Sequence, residues 1–348
     1  MAGIYGSDGS IKRAWSYSIV CVFVFIHVLF LGYLVGSRDL ALGSDTHNYH
    51  NIFHGIVQGY YYSYEPGFYY FTKLFSFFKS SELYFFSIYV FITIFMLLSY
   101  RSVCGFSGKS RDLRILAFFS FFGFLFLSNW FFAATHNGLR QGMALSVLYF
   151  AAIMLLHSKY LVSIALFLAA AMFHKSVYLF FPFLGLLFVR DLRVHVFVVL
   201  LAAAFYYFGV SEMLILFASH YLGLSLYSDI KYYAESLGGN IWAGFDVLFV
   251  VYTLFWFFFP LALFRLGIMA LTKEVREAQV IYSALSTYYF VYGFGGFSNR
   301  YAFFAWLFVP ILQAVVFVNV GLNKAVLLFF SFLVFYFGFF YFLSWYFY

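Results

Sequence analysis

Charge is scarce in this 348-residue chain, where only 9% of residues are Asp, Glu, Lys or Arg. A soluble domain carries about 25%, so this composition cannot assemble a water-facing surface. Cysteine is scarcer still, with Cys21 and Cys104 as the whole complement. One lies in an apolar stretch and the other in a basic segment, which excludes a disulfide framework and a cysteine-rich metal site. Also missing are the ~10-residue segments of alternating polarity that build a membrane β-barrel. No internal repeat of the kind found in many transporters is present. What remains is apolar and aromatic: 65% of the chain is hydrophobic and 27% is Phe, Trp or Tyr. Backbone groups kept from water must be satisfied internally. Apolar blocks of about 20 residues, such as 115–132 and 303–320, achieve this as helices. The sequence therefore reads as all-α, a polytopic integral membrane protein in which residues 1–348 form a single transmembrane domain.

About eleven spans are expected, at 14–36, 82–100, 114–133, 139–157, 160–173, 176–189, 194–210, 243–264, 278–296, 301–320 and 325–344. The first exceeds a ~7–15-residue signal-peptide core and lacks a small-residue cleavage motif, so it is expected to be retained. Segment 64–80 differs, because Glu65, Pro66, Lys73 and Lys79 interrupt its apolar run. With a cytoplasmic N-terminus and no crossing at 64–80, the inside connections collect 13 of the 20 basic residues, as the positive-inside tendency requires. Segment 64–80 is therefore expected to be a re-entrant or interfacial helix on the outer side. Basic residues scattered in this way explain the net charge of +7 without nucleic acid. Segments 160–173 and 176–189 are each ~21 Å long as α-helices, against a hydrocarbon core of ~30 Å. Two short helices meeting at His174-Lys175-Ser176 would sink that polar apex into a wet cavity. The longest external connections are about 37–63 and 211–242.

This topology leaves Arg38, Arg140 and Arg300 outside, against the positive-inside tendency. Their planar donor forks suit phosphate oxygens. Arg140 and Arg300 each open a span beside amides, Asn137 and Gln141 for one and Asn299 for the other, and helix N-termini favour anions. Such cations, with Lys175, fit a diphosphate; pairing with local carboxylates or snorkelling is the plainer alternative. Asp45, Glu65 and His174 are the three candidates for a general base. Their plainer roles are a turn residue, a cap on the helix opening at Pro66, and a packing residue. His47, His50 and His54 have a spacing compatible with metal ligation, but an exposed loop without cysteine makes metal the weaker reading. The tyrosines at 60–64 and 227–233 read chiefly as an interfacial aromatic belt, with sugar stacking as the other option. No Asp-x-Asp pair occurs in the external loops, so neither a metal nor another cofactor is expected.

Five pieces in order carry a resemblance: Ser44-Asp45 with Tyr49, Tyr64-Glu65-Pro66-Gly67, Leu139-Arg140-Gln141 with Ala144, Phe173-His174-Lys175-Ser176, and Asn299-Arg300-Tyr301. Together they resemble the EpsG-type, Wzy-like polysaccharide polymerases. The resemblance implies a bacterial inner-membrane glycosyltransferase with its active face external. Such an enzyme moves a growing glycan from undecaprenyl diphosphate onto an undecaprenyl-diphosphate-linked oligosaccharide repeat. It also implies that Asp45, Glu65, Arg140, Gln141, His174 and Arg300 belong to the functional core. Arg38, Asn137, Tyr64, Lys175 and Tyr301 are then expected on the substrate. The expected partners are the lipid bilayer, the lipid-linked oligosaccharide and a separate protein that regulates chain length. A flippase or transporter, an O-antigen ligase and a membrane acyltransferase are the rival classes. The topology makes a direct prediction: single cysteines placed beside Arg140 and Arg300 should react with a membrane-impermeant thiol reagent outside intact cells. Labelling only after permeabilisation would invert the assignment.

Overall fold

The computed structural model describes residues 7–42, 45–105, 111–223, 225–235, 245–295 and 298–320. The span expected at 325–344 lies outside the described residues. Every regular element among those described is helical. A long α1 (Ser7–Gly36) leads into two short helices, α2 (Thr46–Val57) and α3 (Pro66–Ser76). Next come α4 (Ser81–Val103), α5 (Arg111–Leu127), α6 (Asn129–His136), α7 (Leu139–Leu156) and α8 (Tyr160–Phe173), then a 3₁₀ helix at Lys175–Phe188. The second half holds α9 (Leu192–Tyr207), α10 (Val210–Leu222), α11 (Leu226–Glu235), α12 (Val247–Arg265), α13 (Lys273–Tyr292), α14 (Ser298–Trp306) and α15 (Val309–Asn319).

Four described helices are long and apolar enough to cross a membrane: α4, α7, α12 and the run through α14 and α15. Counting the pairs α5–α6 and α9–α10, bent by 62° and 85°, as one span each makes six. This is fewer than the eleven expected, for identifiable reasons. The span expected at 325–344 is not among the described residues, α8 and the 3₁₀ helix are apolar but short, and α13 is long but rich in Ser, Tyr and Gln; α1, at 30 residues, has the length to cross. The two expected external loops also differ from expectation, because each carries helix. Within 37–63, α2 buries Tyr49, Ile52, Phe53 and Ile56, the one-sided spacing of an amphipathic helix. Within 211–242 lie α10 and α11. Segment 64–80 yields α3, an 11-residue helix of ~16 Å that is too short to cross.

The paired arms beyond α7 are unequal. As an α-helix, α8 covers ~21 Å with its 14 residues. The 14 residues of the 3₁₀ helix rise ~2.0 Å each and reach ~28 Å. Pro182 lies inside it and contributes no N–H donor. The second arm therefore approaches the full hydrocarbon thickness that two short α-helices were expected to fall short of.

At the centre stands α13. Nearly all its residues from Val275 to Tyr292 are buried, packed against α7, α9, α14, α15 and the 3₁₀ helix. Several of its polar side chains find partners inside the protein. Gln279 Nε2 donates to Phe257 O at 3.1 Å and Tyr282 Oη to Thr253 O at 3.3 Å. Ser286 and Thr287 donate to carbonyls four residues back, the usual refuge of a hydroxyl within a helix. Helix α7 is equally enclosed and is tied to α8 by Ser163 Oγ to Ala151 O (2.9 Å) and to α14 by Tyr149 Oη to Phe304 O (2.8 Å).

Two glycines set close approaches. A Cβ on Gly142 would meet Ala134 O at 2.7 Å, so α6 and the first turn of α7 touch backbone to backbone. A Cβ on Gly67 would meet Met172 O at 2.8 Å, which brings the start of α3 against the end of α8.

Candidate functional site

The second contact brings together two motifs more than one hundred residues apart. Glu65 precedes Pro66, the first residue of α3, and makes no side-chain cap bond to its own helix. Its carboxylate instead reaches across to α7 and to the apex between α8 and the 3₁₀ helix. Glu65 Oε2 accepts from Arg140 Nη1 at 2.7 Å, and Oε1 accepts the Lys175 backbone N–H at 3.2 Å. The ion pair is largely enclosed, with side chains 13% exposed for Glu65 and 26% for Arg140. The guanidinium also lies over the Tyr64 ring, 4.8 Å from its centroid, a cation–π contact. Tyr49, a buried residue of α2, lies close enough to feel the Arg140 charge. Burial resists the charge on Glu65, yet the Arg140 guanidinium and a backbone hydrogen bond carry its carboxyl below the ordinary range.

Beside Arg140, Gln141 Nε2 donates to Arg300 O at 2.7 Å and locks the first turn of α7 to that of α14. Arg300 is half-buried there, and its charge acts on both Tyr49 and His174, as does that of Arg140. Guanidiniums on two helix N-terminal turns thus converge with Lys175 at the apex. Three buried polar atoms around them lack a hydrogen-bond partner among the described residues: Arg140 Nε, Asn137 Oδ1 and Asn299 Oδ1. Unsatisfied polar atoms are uncommon in a folded interior. They leave unused hydrogen-bonding capacity beside the two arginines.

The three base candidates separate by their hydrogen bonds. His174 Nδ1 lies 3.2 Å from the Ser176 backbone N–H and 2.6 Å from Ser176 Oγ. A backbone N–H only donates, so Nδ1 is the acceptor and the ring proton of the neutral imidazole resides on Nε2. Burial, reinforced by Arg140, lowers the His174 pKa and keeps the ring neutral. His174 therefore offers the site a donor. Glu65 is engaged by Arg140 and Lys175. Asp45 stands at the start of α2 without a side-chain cap bond, half-buried, and its charge is felt at Tyr49. It is the candidate carboxylate with no hydrogen bond among the described residues.

The structure brings Glu65, Tyr64, Arg140, Gln141, His174, Lys175 and Arg300 into one neighbourhood, with Asp45 and Asn137 at its edge. Arg38 is used elsewhere. Its Nε donates to Thr46 Oγ1 (3.3 Å), and Nη1 donates to Val35 O (3.0 Å) and Thr135 O (3.1 Å). Its guanidinium also stacks 4.0 Å above Phe85, so it fastens α1 to α2 and α6. Tyr301 packs with Tyr288 and Tyr292 of α13. Among the described residues no group of three His, Cys, Asp or Glu is arranged to hold a metal; His50 and His54 face each other as rings, and His47 contacts Asn51. Two contributors received no role from the sequence. Tyr49 and Ser176 stood in the sequence only as members of the resembling pieces, beside Asp45 and His174.

Residues 21–348 match the sequence model of a family described as the EpsG family. No curated protein and no solved structure matches. The ion pair generates a pH prediction. Because the folded-state Glu65 pKa is depressed, its contribution to stability is present above the unfolded carboxyl value of ~4.3 and is lost as pH falls through the lower folded value. Glu65→Gln should lower the unfolding temperature in detergent by a few degrees at neutral pH, with the gap closing in acid. Parallel profiles at all pH values would rule the linkage out.

Proposed function

The chain belongs to the EpsG family, and from that premise we propose that it is a membrane polysaccharide polymerase acting on lipid-diphosphate-linked repeat units at the external face of the bacterial inner membrane. Family membership supports the coarse function, a multi-pass membrane protein of glycan-polymerase type. The finer reading includes about eleven crossings within one transmembrane domain, α3 lying at the outer side without crossing, and an undecaprenyl diphosphate carrier. The observation that carries it is the convergence of Arg140 and Arg300 from two helix N-terminal turns beside orphaned polar atoms.

A lipid diphosphate is a weakly basic leaving group, so catalysis needs charge stabilisation and alignment more than acid catalysis. In this proposal Arg140 and Arg300, with Lys175, hold the departing diphosphate, and His174 donates through Nε2. Glu65 positions Arg140 and the apex. Asp45 accepts the proton of the acceptor hydroxyl as the new glycosidic bond forms. A single displacement inverts the anomeric centre. The arginines supply the charge that a divalent cation would otherwise provide, so we propose metal independence.

Glycan ladders test the reading. A deletion strain should carry a core bearing a single repeat unit. Loss of a transporter or ligase removes even that unit, and loss of an acyltransferase leaves full-length chains. Complementation with Arg140→Ala, Arg140→Lys or Arg300→Ala should leave the single-unit pattern with the protein still inserted. Asp45→Asn should slow elongation by at least ~10²-fold, the typical contribution of a general base. Wild-type ladders from both alanine variants would remove the assigned role. Elongation in isolated membranes should survive excess chelator; loss restored by Mg²⁺ or Mn²⁺ would end the metal-free mechanism.

A further inference from the structure

At the far end of the 3₁₀ helix from His174, a second cationic feature opens. A cavity of about 950 Å³ lies between the start of α9, the end of α12 and the start of α13, and Arg190, Arg193, Arg265 and Arg276 all line it. The one carboxylate on its wall, Asp191, accepts the Arg193 backbone N–H at 2.9 Å and caps α9. Arg190 donates through one arm to Leu156 O at 3.2 Å. None of the four arginines forms an ion pair among the described residues. Four guanidiniums therefore face one carboxylate, and the N-terminal turns of α9 and α13 add to the positive potential.

The rest of the wall is apolar, with Phe258, Leu261 and Phe264 among its residues. From Arg193 the exposed side of α9 continues through Val194, Phe197 and Leu201, which are 40%, 64% and 40% exposed. Those positions recur at helical spacing and form one stripe. A soluble anion would use the charges and leave the apolar wall of the cavity uncovered. An amphiphile would use both.

We propose that this cavity binds the phosphate headgroup of an anionic phospholipid, with an acyl chain lying along α9. All four arginines are among the 13 basic residues that the expected topology puts inside, and on that reading the cavity opens to the inner leaflet, where anionic lipids gather and basic pockets between helices capture headgroups. The occupant would tie together the loop before α9, the end of α12 and the start of α13. It lies at the end of the bundle opposite Arg140, so it is separate from the carrier site.

Binding to the purified full-length protein in neutral detergent tests the assignment, read as bound-lipid stoichiometry by native mass spectrometry. The probes are phosphatidylglycerol, phosphatidylcholine and inorganic phosphate. Phosphatidylglycerol should bind at least about tenfold more tightly than phosphatidylcholine, and R193Q/R276Q should weaken it by about tenfold or more. An unchanged unfolding temperature would show that the variant is folded, and the milder single R193Q serves if the double variant is not. Lys231→Gln, on α11, should bind as wild type does. Equal binding of the two lipids, displacement by inorganic phosphate at matching concentration, or undiminished binding in the folded variants would each overturn the proposal.

Discussion

The ion pair between Glu65 and Arg140 joins residues 75 positions apart, and the arrangement of that end of the bundle follows from it. An arginine does not shed its proton in a protein, so a guanidinium enclosed at the first turn of α7 requires an anion beside it. Glu65 supplies the charge with one oxygen and takes the Lys175 backbone N–H with the other. One carboxylate thereby fixes the short helix α3, the first turn of α7 and the apex between α8 and the 3₁₀ helix. Gly67 makes this possible, because the backbone of α8 occupies the space a side chain there would need.

The same logic explains why three residues that look alike as bases are not equivalent. Each is defined by what already holds it. Glu65 is committed to a cation, His174 has its Nδ1 lone pair filled by the Ser176 backbone, and Asp45 keeps its oxygens available. Chemical identity alone ranks these groups poorly; the donors already aimed at them rank them well.

How much was legible in the sequence varied with the kind of signal. Long apolar runs gave boundaries close to those observed, as 139–157 against Leu139–Leu156 and 160–173 against Tyr160–Phe173. The charge argument for segment 64–80 anticipated a helix that does not cross, and α3 has that length. Helices α2 and α11 were read as loop because short amphipathic helices carry little net hydrophobicity, and α10 because its 13 residues, though largely apolar, are too few to read as a span. Arg38 shows a different limit. Two of its acceptors are backbone carbonyls, one of them 97 residues away, and no side-chain pattern advertises a carbonyl. The part of the site that was legible consisted of charged and amide side chains standing where composition disfavours them. Which part Tyr49 plays was not legible, because one tyrosine among 32 carries no mark of its partner.

The polarity of α13 bears on what can surround it. Glu277, Gln279 and a series of hydroxyl side chains face inward from all sides of this helix. Polar side chains kept from water cost free energy unless they are hydrogen-bonded or paired. Such a segment has little reason to partition sideways into lipid as an independent unit. Contacts with α7, α9 and α12 shelter those side chains within protein, so the helix trades a lipid-facing surface for a protein-facing one.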